Sequence, residues 1–130
     1  MRVVENSCMA RILVIDDEAV LTHVIRVTLE SHGHEVMTAD DGSRGFASAQ
    51  RQALDAIVLD LMMPVMDGFA VLDALRNDAR TASVPVLVLS AISTDYTEQQ
   101  CYRLGAKAYM RKPFANDHLV GILEDVIAAA

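Results

Sequence analysis

Cysteine is scarce in this chain, and the two present, Cys8 and Cys101, are far apart. They form no CxxC pair and no metal-ligand spacing, which excludes a disulfide framework or a thiolate metal site. Cys8 reads as a tail thiol and Cys101 as a small apolar helix residue. Long hydrophobic runs are missing too. The apolar stretches at residues 12–15 and 86–89 are far too short to span a bilayer. The first ten residues include Glu5 and Asn6 and lack the apolar centre of a signal peptide. A cytoplasmic protein without membrane insertion is therefore expected. Basic residues are few, 11 Lys and Arg against 18 Asp and Glu, for a net charge of −7. Binding a nucleic-acid backbone needs clustered cations, so no direct nucleic-acid partner is expected. Internal repeats, low-complexity tracts and linkers are absent as well.

What is present describes an ordinary globular interior, 52% hydrophobic and 22% charged. The length of 130 residues suits one core. Residues 1–10 read as an N-terminal extension and 11–128 as a single domain. The last helical pattern ends at Ile127, so no effector domain is expected in the residues that remain. Ile12-Leu13-Val14-Ile15, Ile57-Val58-Leu59 and Val86-Leu87-Val88-Leu89 are continuous apolar runs rich in β-branched residues. Such runs suit strands buried on both faces of a helix-covered parallel sheet. Residues 35–39 and 107–110 supply two more strands. Leu21, Val24, Ile25, Thr28 and Leu29 follow helical spacing, as do Leu119, Ile122, Leu123, Val126 and Ile127. Phe69, Leu72 and Leu75 form a shorter stripe behind Asp67, a plausible N-cap. Residues 43–52 and 95–104 look like the remaining helices. Five alternations of strand and helix predict a doubly wound α/β domain with a parallel sheet.

Ligands of open α/β sheets bind beyond the carboxyl ends of the strands. There the first strand ends in Asp16-Asp17-Glu18, the third in Asp60 and the fourth in Ser90, and Lys112 follows the fifth. Singly, each has a bland explanation: Glu18 as a helix cap, Asp60 and Ser90 as turn formers, Lys112 as a solvated charge. Together, at successive strand ends, they make a site. Packed carboxylates repel and need a compensating cation, and a hard divalent ion such as Mg²⁺ accepts oxygen ligands. Asp60 then becomes a possible nucleophile towards phosphorus. The ion and Lys112 would neutralise charge on the phosphoryl oxygens, and Ser90 could donate to one of them.

Asp16-Asp17-Glu18, the segment Asp60-Leu-Met-Met-Pro-Val-Met-Asp-Gly68, Ser90-Ala91 and Tyr109-Met-Arg-Lys112-Pro113-Phe114 together resemble the receiver domain of bacterial two-component response regulators. The resemblance runs from about residue 11 to residue 127. It implies a flavodoxin-like fold with strand order 2-1-3-4-5 and five helices. It further implies that Asp60 is the phospho-acceptor and that Asp17, Asp60 and the backbone carbonyl of Met62 ligate Mg²⁺, with Asp16 acting through a coordinated water. Lys112 would pair with the acceptor, its direction fixed by a cis peptide to Pro113. Ser90 and Tyr109 would form the switch pair; with Ser90 away from Asp60 before phosphorylation, Tyr109 is expected often to point to solvent. Ser90 stands where Thr is also frequent, and Met62 and Ile92 stand where members vary and tune the lifetime of the phosphorylated state.

The partners implied are a sensor histidine kinase or histidine phosphotransfer protein and a downstream protein that the sequence does not name. The output face is expected on the fourth helix, fifth strand and fifth helix, because the fourth helix offers the core only Thr97, Cys101 and Leu104. No enzyme acting on an external substrate is expected. A phosphatase of the haloacid dehalogenase type resembles Asp-x-Asp after the first strand. Here the aspartates are adjacent, and residue 62, two after Asp60, is Met. A pseudo-receiver without phosphorylation would not need the intact acidic set. His32 and His34 read as solvated loop residues around Gly33, and Tyr96 and Tyr102 as surface positions of the fourth helix.

Overall fold

A computed structural model describes residues 9–92 and 94–130. The extension expected at residues 1–8, with Cys8, lies outside the described residues. Strands β1 (Arg11–Ile15), β2 (Glu35–Ala39), β3 (Ala56–Asp60), β4 (Val86–Ser90) and β5 (Ala108–Arg111) alternate with helices α1 (Ala19–Ser31), α2 (Gly42–Arg51), α3 (Gly68–Arg76), α4 (Asp95–Arg103) and α5 (Asn116–Ala129). All neighbouring strands pair in parallel, in the order β2-β1-β3-β4-β5. This is the flavodoxin-like order expected from the motifs.

Pleating sorts each central strand between two cores. Ile12 and Val14 of β1 pack with Ile25, Leu29 and Leu119 under α1 and α5. Leu13 and Ile15 face the opposite way, towards Ala49, Val71, Leu72 and Cys101 under α2, α3 and α4. Every residue of β3 and β4 is buried, which is why both read as unbroken apolar runs. Full burial of a Leu or Ile contributes about 1.5–3 kcal/mol, so these strands hold the domain together. Asp67 caps α3 as expected, its carboxylate accepting from the Ala70 amide at 3.0 Å. Among the described residues, no helix is long and apolar enough to cross a membrane.

Glu18 sits at the N-cap position of α1 but makes no side-chain cap bond, so the bland reading of it as a helix cap does not hold. Its carboxylate turns towards Lys112 instead. The α1 stripe is narrower than its spacing implied, because Val24 is 37% exposed. Tyr96 and Tyr102 are exposed and Cys101 is buried, as expected.

His34 differs most from expectation. His32 is exposed, but the His34 side chain is only 2% exposed. Its Nδ1 accepts from the Ala10 amide at 3.2 Å, so Nε2 carries the proton and donates to Glu124 Oε2 at 2.9 Å. The ring thus joins the start of β1, the turn before β2 and α5. Leaving the Ala10 amide and the ring's space unfilled carries a cost. His34→Ala should lose about 2–3 kcal/mol of stability in urea unfolding. A loss of a few tenths would mean that the bonds contribute nothing net.

In the β3–α3 loop, Val65 has φ of 69° and is fully exposed. A β-branched residue in the left-handed region is strained, and no packing compensates here. Val65→Gly should raise stability by about 1 kcal/mol, read as a higher urea midpoint at unchanged slope. A lower midpoint would show that the loop stores no strain.

Candidate functional site

The carboxyl ends of β1, β3, β4 and β5 bring the expected residues together. β1 delivers Asp16, held by its amide to the Ala39 carbonyl at 3.1 Å and by its own carbonyl, which accepts from the Thr22 hydroxyl. Asp17 follows, exposed. Asp60 ends β3 and is 2% exposed. Ser90 ends β4, fully buried, and its carbonyl accepts the Lys112 amide at 2.8 Å. That bond extends the β4–β5 ladder by one step and aims Lys112 back at Asp60. The Lys112–Pro113 peptide is cis.

Gly68 also shapes this edge, although its sequence position marks only the start of a helix. A Cβ there would lie 2.6 Å from the Leu61 Cα and 2.9 Å from the Asp60 carbonyl oxygen. The Gly68 amide donates to the Leu61 carbonyl at 2.8 Å. Only glycine allows α3 to start this close behind the aspartate.

Lys112 Nζ lies 3.2 Å from Asp60 Oδ1, 2.8 Å from Glu18 Oε1 and 3.8 Å from Asp16 Oδ2. One ammonium therefore faces Asp16, Glu18 and Asp60, with Asp17 beside them. Burial pushes the Asp16 carboxyl up to about 6. The Glu18 amide on its Oδ1 opposes this shift, and the nearby Asp60 charge adds to it. Asp60 is raised as well, again chiefly by burial, against the charge and hydrogen bond of Lys112. Burial alone would lower Lys112, but its bond to Glu18 and the charges of Asp16 and Asp60 outweigh that and raise it. The lysine stays an ammonium, and the carboxylates remain short of positive charge.

The donor set fits a hard divalent cation. Asp16, Asp17 and Asp60 each offer an oxygen, and these atoms lie within 4.8 Å of one another. Asp16 Oδ2 is buried without a hydrogen-bond partner among the described residues, an orphan that a cation would satisfy. All-oxygen coordination by carboxylates suits Mg²⁺. The hydrogen bonds to Asp60, from Lys112 and from the Met62 amide at 3.4 Å, both fall on Oδ1. Among the described residues, Oδ2 is thus left uncommitted.

Ser90 Oγ accepts from the Ile92 amide at 2.9 Å. Tyr109 is half-buried, and its hydroxyl donates to the Ile92 carbonyl at 2.8 Å. The aromatic is thus turned inward against the second core, where a ring often turned to solvent was expected. The reason is local: the carbonyl two residues beyond Ser90 accepts its hydroxyl, so the ring keeps a polar partner while packing. Ser90 and Tyr109 meet through Ile92, a link the sequence does not disclose.

An acidic pair, a strand-end aspartate, a hydroxyl and a lysine on a parallel sheet of this order define a signalling class, and known proteins agree. The family model of the response regulator receiver domain matches residues 12–124, and the chain belongs to that family. Among solved structures, the chemotaxis protein CheY4 of Vibrio cholerae is 34% identical, with a TM-score of 0.86 over 91% of this chain and 98% of that one. The receiver domain of a sensor histidine kinase from Pseudomonas aeruginosa, solved with a magnesium ion coordinated in its active site cleft, is 33% identical. Its TM-score is 0.84 over 92% of this chain and 98% of that one. Protein PilH of Pseudomonas aeruginosa is 32% identical over 120 residues, 92% of this chain and 99% of that protein. The DNA-binding dual master transcriptional regulator RpaA of a Synechocystis species is 43% identical over 106 residues, 82% of this chain. This chain matches only 44% of that regulator's length.

Proposed function

We propose that the domain accepts a phosphoryl group on Asp60 in the presence of Mg²⁺, from a sensor histidine kinase or histidine phosphotransfer protein, and passes the signal on through α4, β5 and α5. The reading rests chiefly on Asp60: a buried carboxylate paired with Lys112 and grouped with Asp16 and Asp17, with one oxygen uncommitted. That oxygen forms the new O–P bond as the N–P bond of a phosphohistidine breaks, and the leaving imidazole nitrogen takes a proton from solvent. Asp17, Asp60 and the Met62 carbonyl would hold the ion, with Asp16 acting through a bound water. When bound, the ion supplies charge neutralisation at the phosphoryl oxygens. Lys112 holds the acceptor and then an equatorial oxygen. Glu18 positions the lysine from its other side. The domain turns over no external substrate and catalyses only its own phosphorylation and dephosphorylation. A cytoplasmic location fits the donors named.

The reading is tested by incubating the chain with acetyl phosphate and following its intact mass. Addition of one phosphoryl group is expected with Mg²⁺ and none with EDTA. Equal addition in both would remove the metal from the reaction.

The switch follows from the Ile92 link. A phosphoryl group on Asp60 offers Ser90 Oγ a charge-assisted hydrogen bond, stronger than the neutral one from the Ile92 amide. Drawing Ser90 inward shifts the backbone at Ile92, whose carbonyl holds Tyr109. α4 is suited to respond, since Cys101 is its only fully buried residue. A phosphoryl mimic should therefore change the Tyr109 environment, read by NMR of its ring, and Ser90→Ala should weaken that change while preserving Mg²⁺ binding. Equal changes in both proteins would separate Tyr109 from Ser90.

A further inference from the structure

At the end of the sheet opposite the carboxylates, a cleft of about 430 Å³ opens between the C-terminal ends of α3 and α4. Leu72, Leu75, Val86 and Ala106 form its apolar floor, while Arg76, Tyr102 and Lys107 stand at its rim. In a chain of net charge −7, none of the lining residues is acidic. Arg76 and Lys107 form no ion pair among the described residues, whereas other arginines, such as Arg11, Arg26, Arg44, Arg80 and Arg111, do. The guanidinium of Arg76 lies directly over Gly105, where a Cβ would come within 2.8 Å of its Nη1. Gly105 has φ of +104°, so the turn favours glycine. The Arg76 guanidinium thus borders the cleft beside Gly105.

A second cleft of about 550 Å³ adjoins the first and shares Ala82, Val84, Gly105 and Lys107 with it. It continues along Pro85, Val126 and Ala129, and Asp125 lines it. The two clefts thus differ in charge, since Arg76 lines only the first and Asp125 only the second, with Lys107 common to both. That polarity gives an occupant a direction.

We propose that the joined clefts bind a soluble single-chain organic anion, with its carboxylate or phosphate head at Arg76 and Lys107 and its apolar chain along Val84, Pro85 and Val126. Asp125 repels the head from the second cleft, and Arg76 retains it in the first, beside the shared Lys107. Charge complementarity, not apolar area alone, selects this class over neutral or cationic amphiphiles. The site is independent of the carboxylate edge and stands whether or not Asp60 is phosphorylated.

The test uses the full chain in NMR titrations with octanoate and octyl phosphate below their micellar concentrations, beside octanol and octylammonium. Saturable shifts are expected at the amides of Arg76, Gly105 and Lys107 with both anions and not with octylammonium. Arg76→Gln and Lys107→Gln, both at exposed positions, should each weaken octanoate binding roughly tenfold, the value of one charged hydrogen bond. Ala129→Glu, exposed at the end of α5, should weaken octanoate while leaving butyrate unchanged. Equal shifts from octanol or octylammonium, or unchanged affinity in Arg76→Gln, would overturn the proposal. Binding to phosphatidylglycerol vesicles without any octanoate shift would overturn it in favour of a membrane surface.

Discussion

An Asp60→Asn variant should take up no phosphoryl group from acetyl phosphate and should unfold at a higher urea concentration than the wild type. The two outcomes share one cause. Asp60 is 2% exposed, and its carboxyl is raised by burial even with Lys112 at 3.2 Å. In its ionised form it costs the folded state free energy that an isosteric amide does not. The amide lacks the anionic oxygen that attacks phosphorus, so function and stability move in opposite directions. Lys112 would still have Glu18 at 2.8 Å, so removing the Asp60 charge does not strand the lysine. A gain of about 1–2 kcal/mol in the absence of divalent cation is expected from unfolding curves. Loss of stability in the Asn variant would mean that the Asp60–Lys112 pair is net stabilising. Retained phosphorylation would mean that another carboxylate is the acceptor.

Asp16 should make the metal-free protein lose stability as pH rises. Its folded-state carboxyl is pushed up to about 6, above the ordinary value of 3.8 for the unfolded chain. Between those values the folded state holds the proton that the unfolded state has released. Stability from this group is therefore full at low pH and lost as pH climbs through about 6. The rise from 3.8 to about 6 corresponds to about 3 kcal/mol. Asp78, held well below the usual range by Arg80 and Gln50, pulls in the opposite direction. Comparing wild type with Asp16→Asn cancels that contribution. In EDTA, the stability advantage of the Asn variant should grow by about 2–3 kcal/mol between about pH 4 and pH 7. Mg²⁺ should stabilise the wild type at the upper pH and shrink the difference, because it binds the ionised folded form. A difference that stays flat with pH would show that Asp16 titrates normally.

Some of this architecture was legible in the sequence because it depends on local pattern. β1, β3 and β4 are buried on both faces, so each reads as an apolar run. β5 was expected one residue early. Its ladder continues through Arg111, which registers with Ser90 although its side chain is exposed, and an apolar pattern cannot report that. Asp16, Asp17, Asp60 and Lys112 were legible because a parallel sheet gathers the ends of its strands at one edge. The partners of Glu18 and His34 were not. Glu18 meets Lys112 across 94 positions and His34 meets Glu124 across 90. At either site the local residues alone are equally compatible with a cap or a solvated turn. The inward Tyr109 depends on a backbone carbonyl, and the left-handed backbone at Val65 opposes its own residue type. Neither leaves a mark in composition or spacing.

The central claim concerns one atom group, the Asp60 carboxylate, and it can be examined without any substitution. Wild-type protein is treated with acetyl phosphate and Mg²⁺, the acyl phosphate is reduced with borohydride to homoserine, and the modified residue is located by peptide mass spectrometry. Homoserine at position 60 and at no other acidic residue is the expected result. Homoserine at Asp16 or Asp17, or an unmodified Asp60 in phosphorylated protein, would contradict it.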